Sequence, residues 1–277
     1  MIKTVTLPGG ERVPALGQGS WMMGEHSARR ADEIAALRAG VDLGMTLIDT
    51  AERYGDGAAE TLIGEALGAV RDTLFLVSKA YPHNASRARL VKACEASLAR
   101  LGTDRLDLYL LHWRGSVPLG ETVEAMEALK AAGKIRHWGV SNLDTDDMDE
   151  LVAAGGRACA TDQILYNLTR RGPEHALLPW LEAQHMPIMA YSPVEQGRLV
   201  AHPALARVAA SIDATPAQVA LAWTMRHDTV IAIPKAGTAA HVRENRAAAD
   251  LVLSPDILAT LDAAFPRPQD RRPLEML

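Results

Sequence analysis

Four side chains in the first half of this 277-residue chain are of the types needed to protonate a developing alkoxide. Asp49, Lys79 and His112 each follow an apolar run, namely Thr46-Leu47-Ile48, Leu74 to Ser78 and Leu106 to Leu111. Tyr54 comes five residues after Asp49, in the loop Ala51-Glu52-Arg53-Tyr54-Gly55-Asp56-Gly57. A free phenol has a pKa of about 10, too high for efficient proton donation near neutrality. A neighbouring ammonium is expected to lower it. Tyr54 then reads as a general acid, Lys79 as its tuner, and Asp49 as the carboxylate that keeps Lys79 charged despite burial. His112 is placed to hydrogen-bond a substrate oxygen beside the phenol. An isolated Asp–Lys pair is often only structural. A tyrosine and a histidine at matching positions make that reading much weaker.

Such groups meet only if the fold gathers strand ends on one rim. Apolar runs begin near Ala15, Thr46, Leu74, Leu106, Ile135, Ala160, Pro187 and Val230. Their spacing of about 30 residues is that of a β-loop-α unit. Eight units in series predict one α/β domain over residues 1–277, a closed (β/α)8 TIM barrel with its functional face at the C-terminal strand ends. Seven consecutive runs deliver a polar group to that rim: Asp49, Lys79, His112, Ser141-Asn142, Gln163, Tyr191-Ser192 and Lys235. Glycines 44, 102 and 133 read as helix stops, and Thr215-Pro216-Ala217-Gln218 as a capping box. Val5 to Val13, with Gly9-Gly10 between, predicts an N-terminal β-hairpin. Room for an extra element remains around Pro203–Ser211, and Ser254-Pro255 opens a last helix, so extra C-terminal helices are expected. A doubly wound open sheet would also alternate, but its nucleotide fingerprint is missing. The nearest segment, Gly17-Gln18-Gly19-Ser20-Trp21-Met22, lacks the third glycine.

Composition narrows the function classes. With 29 Lys+Arg against 34 Asp+Glu the net charge is −5, and no basic stripe suits a nucleic-acid backbone. The first ten residues lack a signal peptide's apolar core, and runs such as Leu108-Tyr109-Leu110-Leu111 are too short to span a bilayer. Cys94 and Cys159 read as buried thiols of a cytoplasmic protein. No Cys/His spacing indicates a metal, and no Gly-x-Ser-x-Gly elbow indicates a hydrolase. No exposed apolar heptad is visible, which favours a monomer.

The chain resembles the aldo-keto reductases, and within them a bacterial branch that includes methylglyoxal-reducing enzymes. The resemblance runs from about Leu7 to about Phe265. It is carried by Leu47-Ile48-Asp49-Thr50-Ala51-Glu52-Arg53-Tyr54, Asp107 to Trp113, Gly139-Val140-Ser141-Asn142 and Ile233-Pro234-Lys235. The branch is suggested by Trp113-Arg114-Gly115-Ser116 and Tyr191-Ser192-Pro193-Val194-Glu195-Gln196-Gly197. The resemblance implies a catalytic tetrad of Asp49, Tyr54, Lys79 and His112, and NADPH as cofactor. It implies that Ser141, Asn142 and Gln163 hold the nicotinamide carboxamide while Tyr191 stacks on the ring. Gly19, Ser20, Ser192, Pro193, Gln196 and Gly197 would follow the ribose and pyrophosphate. Lys235, Thr238, His241, Glu244 and Asn245 would take the adenosine end. His241 and Ala236 stand where NADPH-preferring relatives often carry Arg and Ser, so the preference is expected to be weaker than usual, with NADH possible. Thr238 independently reads as the cap of the helix that follows it. Trp21, Met22 and Trp113, with Tyr54, would shape an open pocket for small carbonyl substrates such as 2-oxoaldehydes.

Other groups take ordinary readings. His26, His83, His137, His185 and His227 are assigned to helices or loops, and Trp138, Trp180 and Trp223 to the core. Arg170-Arg171 and Arg271-Arg272 read as solvated, although Arg272 in the tail would be in reach of an anionic substrate. Two other functions stay open: a barrel lyase forming a Schiff base on Lys79, and a non-catalytic NADPH-binding regulatory subunit.

Overall fold

The computed structural model describes residues 2–277. A hairpin of β1 (Thr4–Thr6) and β2 (Arg12–Pro14) comes first, paired antiparallel with Val5 opposite Val13. Eight parallel strands follow: β3 (Gln18–Gly19), β4 (Leu47–Asp49), β5 (Phe75–Ala80), β6 (Leu106–Leu111), β7 (Ile135–Ser141), β8 (Asp162–Leu165), β9 (Ile188–Tyr191) and β10 (Val230–Ala232). They neighbour one another in chain order, and bridges Leu16–Ala232 and Gly19–Lys235 join the first to the last. The sheet is therefore a closed barrel, as the run spacing predicts.

Strands β4, β5 and β6 are buried along their whole length, because inner and outer faces are both covered. The inner layer includes Leu47, Val77, Leu108, Leu110, Met189 and Ile231, and the hairpin's Val5, Leu7 and Val13 join it. The hairpin thus plugs the N-terminal end of the barrel, leaving chemistry to the other end. Closure is tight at the first strand. A Cβ on Gly17 would lie 2.8 Å from the Leu47 carbonyl oxygen, and one on Gly19 2.8 Å from that of Ile233. Only glycine lets these backbones approach.

The surrounding helices are α1 (Arg30–Asp42), α2 (Ala58–Leu67), α3 (Arg87–Leu101), α4 (Leu119–Ala131), α5 (Thr145–Ala153), α6 (Leu177–Ala183), α7 (Pro203–Ser211), α8 (Pro216–Thr224), α9 (Ala239–Ala247) and α10 (Pro255–Ala264). Leu90, Cys94, Leu98 and Leu101 of α3, and Val123, Met126 and Leu129 of α4, recur at three- and four-residue spacing and are buried in the core. Gly102 ends α3 with φ 64°, and the Thr215–Gln218 capping box opens α8. Ser254 caps α10 through the Ile257 N–H. The extra element after the seventh barrel strand is α7, and beyond the barrel's last helix, α9, there is one further helix, α10.

Several boundaries differ from the sequence reading. The first barrel strand is only two residues long, and the Gly17 and Gly19 N–H groups beside and within it donate to the Ala232 and Pro234 carbonyls across the closure. Strand β5 runs to Ala80, so Lys79 lies inside a strand and not after it. Gln163 is likewise inside β8. His137 is in β7, not in a helix or loop, and pairs with Glu11 of the hairpin at 2.7 Å. Arg170, Arg171 and Arg271 are ion-paired, not simply solvated. Arg171 is buried against Glu174, Asp262 and the Phe265 carbonyl. Among the described residues no helix is long and apolar enough to cross a membrane.

Candidate active site

Strands β4 and β5 are adjacent and parallel, so Asp49 and Lys79 meet inside the barrel. Lys79 is 0% exposed. Its Nζ donates to Asp49 Oδ2 at 2.8 Å, to the Thr50 carbonyl at 2.8 Å and to Tyr54 Oη at 3.2 Å. An ammonium has three N–H groups, and each has a partner here. Tyr54 is brought back over the barrel by a tight turn in which Gly55, Asp56 and Gly57 all have positive φ, 57°, 49° and 89°. His112 follows β6, its N–H donating to the Ala80 carbonyl, and its ring lies 5.9 Å edge-on from that of Tyr54. The four predicted catalytic side chains therefore form one cluster.

The electrostatics differ from expectation at Tyr54. Burial raises the phenol's pKa, Lys79 pulls it down and Asp49 raises it again, and the result lies above the ordinary value. The ammonium acts in the predicted direction, but taking a phenolate out of water costs more than that charge returns. Burial works against the Lys79 charge, yet Asp49 and Tyr54 outweigh it and its pKa is also raised. Burial, then Lys79 and Arg53, push the His112 imidazole down to about 2. His112 is thus neutral across the working range.

The remaining rim residues form a second, connected layer. Ser141 Oγ donates to the Gln163 carbonyl at 2.7 Å. Asn142, at φ 60°, donates from Nδ2 to the His112 carbonyl and to Ser141 Oγ, both at 3.1 Å. Tyr191 donates its hydroxyl proton to Asn142 Oδ1 at 2.9 Å. Gln163 Nε2 donates to the free oxygen of Asp49, Oδ1, at 2.7 Å. That bond ties the two layers together across 114 positions of sequence, and nothing local announces it.

After Tyr191 the loop carries Ser192, Pro193, Gln196 and Gly197, with positive φ at Ser192, Glu195, Gln196 and Gly197. Its anchor is Glu195, which the sequence reading did not single out. Glu195 is buried and accepts from Asn167, Arg170 and Arg198. Lys235 is exposed beside Gly19, to which it is bridged. Thr238 caps α9 through the His241 N–H at 3.4 Å. His241 is exposed on that helix, Glu244 is half-buried and Asn245 buried. Ser20 Oγ is buried without a hydrogen-bond partner beside Gly19.

The predicted substrate residues divide. Trp113 is half-buried, its ring 4.8 Å from His112 and 5.8 Å from Tyr81. Trp21 and Met22 are exposed after β3 and make no ring contact with that cluster. The tail was also missed. Arg271 pairs with Asp146 at 3.0 Å, Glu275 with Arg170 at 2.5 Å, and the backbone of Leu277 reaches the Tyr191 hydroxyl. Charged residues in the tail are the only local signal that it would be tied down. Glu52 was missed as well; its Oε1 accepts from the Tyr81 N–H at 2.6 Å and from Asn84 at 3.0 Å.

A buried Asp–Lys–Tyr chain beside a neutral imidazole can hand a proton to an oxygen and hold the charge that results. Comparison with known proteins agrees with that chemistry. Residues 15–265 match the model of the aldo/keto reductase family. Methylglyoxal reductase YeaE of Escherichia coli strain K12 is 53% identical over 281 residues, covering 99% of this chain and 99% of that protein. A solved aldo-keto reductase from Klebsiella pneumoniae in complex with NADPH matches with a TM-score of 0.97 and 53% identity, covering 100% of both chains. The uncharacterized oxidoreductase YtbE of Bacillus subtilis strain 168 is 31% identical over 265 residues, 93% of this chain and 91% of that one.

Proposed function

This chain belongs to the aldo/keto reductase family, and from that premise we propose that it reduces small aldehydes and ketones to alcohols with NADPH, 2-oxoaldehydes such as methylglyoxal among them. The observation that carries the reading is the Lys79 ammonium bridging Asp49 and Tyr54 beside His112. The Escherichia coli relative's name supports the substrate class, and the NADPH complex of the Klebsiella relative supports the cofactor.

The rim suits a dinucleotide. Lys235 and the N-terminus of α9 offer positive charge to a phosphate, and the orphaned Ser20 hydroxyl faces no protein acceptor. Lys235, Thr238, His241, Glu244 and Asn245 would hold the adenosine end. Gly19, Ser20, Ser192, Pro193, Gln196 and Gly197 would follow the ribose and pyrophosphate. Ser141, Asn142 and Gln163 would grip the carboxamide, with Tyr191 against the ring. His241, a weaker partner for a 2′-phosphate than arginine, leaves NADH as a poorer substitute.

Bound NADPH supplies a hydride to the carbonyl carbon. The chain manages the proton. Tyr54 keeps its proton because burial raises its pKa, and releases it to the carbonyl oxygen as negative charge gathers there. Lys79, 3.2 Å away, stabilises the phenolate left behind, and Asp49 holds Lys79 in place. Neutral His112 orients the carbonyl oxygen by a hydrogen bond, and Trp113, with Trp21 and Met22 at the mouth, bounds the substrate. We read residues 1–277 as one domain acting as a monomer in the cytoplasm.

The lyase alternative meets a physical obstacle. A Schiff base needs a neutral amine, and Asp49 at 2.8 Å holds Lys79 as an ammonium. The deciding test is a carbonyl panel run with NADPH and with NADH on wild type and Tyr54→Phe. Turnover should fall about 10³-fold in the variant while NADPH binding persists; undiminished turnover would overturn the assignment of the acid.

A further inference from the structure

Arg53 immediately precedes the proposed acid, and beyond the pull of its charge on His112 and Tyr54 its guanidinium has no assigned role. Its guanidinium stands 5.3 Å from the centre of the Trp113 ring, and its side chain is exposed. Trp113 is 4.8 Å from His112, and His112 is 5.9 Å from Tyr54. The cation and the His112 ring therefore share Trp113 as a neighbour. Among the described residues, Arg53 has no carboxylate in ion-pair reach. Its neighbour Glu52 is turned away, occupied by the Tyr81 N–H and Asn84. A guanidinium held over an aromatic ring by a cation–π contact makes no hydrogen bond to that ring's atoms, so its fork of N–H groups can still take a carboxylate.

We propose that Arg53 is a specificity residue of this site, recognising a carboxylate carried by the carbonyl substrate a few atoms from the reacting carbon. The favoured substrates are then aldehydes and ketones that bear an acid group, with the carbonyl oxygen at Tyr54 and His112, the carboxylate at Arg53, and Trp113 in contact with both ends of the site. The inference rests on the reductase reading and narrows it from small carbonyls in general to anionic ones. The charge also acts on Tyr54, whose pKa Arg53 lowers, so an effect on turnover alone would not separate the two roles.

An isosteric pair of substrates separates them. Wild type, Arg53→Gln and Arg53→Lys are assayed with NADPH on 4-carboxybenzaldehyde and on its neutral amide, 4-carbamoylbenzaldehyde. In wild type the ratio of kcat/KM for acid over amide should exceed one, and added salt should erode it through KM. In Arg53→Gln the ratio should fall about tenfold, and Arg53→Lys should keep part of it, as a point charge without the fork. A ratio unchanged in Arg53→Gln, or a wild type with no preference for the acid, overturns the inference and leaves the reductase reading standing. Losses equal for both substrates would assign Arg53 to the electrostatics of Tyr54 alone and overturn it too. If wild type binds NADPH but reduces neither aldehyde nor any other carbonyl, the reductase reading fails and this inference fails with it.

Discussion

The two ends of the barrel both hold buried charge, and they treat it in opposite ways. At the N-terminal end Asp107 is 2% exposed, yet it accepts from the Leu76 N–H and faces Arg71 and Arg136, each at 2.9 Å or less. Glu11 of the hairpin joins that network through Arg136 and His137. At the C-terminal end the Asp49–Lys79 pair is as well buried, but partners run out around it. His112 Nδ1, Ser20 Oγ and Thr50 Oγ1 are buried with no hydrogen bond. Six of the eight non-glycine residues with positive φ also lie on C-terminal loops: Met22, Asp56, Asn142, Ser192, Glu195 and Gln196. Buried groups left unpaired and backbone held in sparse regions each cost stability. One end is built to hold the chain together, and the other carries buried hydrogen-bonding groups that the protein itself leaves without partners.

The contrast can be broken by substitution. The largest effect is expected from Lys79→Met, which leaves the Asp49 charge buried and unpaired and should cost about 3–5 kcal/mol in chemical denaturation. The double change Asp49→Asn, Lys79→Met should restore much of that stability but not turnover, which should stay at least about 10²-fold down. Stability and catalysis would then be separated at one pair. At the other end, Asp107→Asn should cost about 2–3 kcal/mol by the same measurement and leave kcat within about twofold, because its partners touch no rim residue. A large fall in kcat there would show that the ends are coupled.

Smaller effects sharpen the picture. Asn142→Ala removes the acceptor of the Tyr191 hydroxyl and a donor to the His112 carbonyl. It should raise the NADPH dissociation constant about tenfold in fluorescence titration, with a modest loss of stability. The smallest effect concerns pH. His112 titrates near 2, and Tyr54 and Lys79 both lie above their ordinary values, so kcat should show no ionisation of these groups between about pH 6 and 9. A bend near pH 6.5 would mean that His112 is protonated in the working enzyme. Stability carries a related sign. The unfolded chain binds a proton at His112 below about pH 6.5 and the folded chain does not, so this contribution is full above that pH and is lost as pH falls towards 2.

Much of this architecture could be read from residue order alone. A parallel strand buried on both faces is an uninterrupted apolar run, and the polar residue that closes or follows it marks the rim, which is why Asp49 and Tyr191, the last residues of their strands, and His112, just after its own, were legible. Lys79 was placed after its strand because a lysine inside an otherwise apolar strand breaks that rule unless a carboxylate faces it. The direction of the Tyr54 shift was not legible, since it turns on how much water the fold removes from the phenol. The Gln163–Asp49 bond and the Glu195 cluster join residues far apart in the chain, and no periodicity reports them. Arg170 reads as a surface charge for the same reason: its partners are Glu195 and Glu275, not its neighbours.

Glu60 of α2 bears on how the loop carrying Tyr54 moves. Its carboxylate, 0% exposed, accepts from Ser78, the residue before Lys79, at 2.6 Å and from Arg100 of α3 at 2.6 Å. The Arg100 side chain lies over Gly57, so that a Cβ there would come within 2.4 Å of it. The turn holding Tyr54 is clasped to a barrel strand and to two helices at once. Amide protons at its base should therefore exchange only when those helices separate, on the slow schedule of the barrel's own opening.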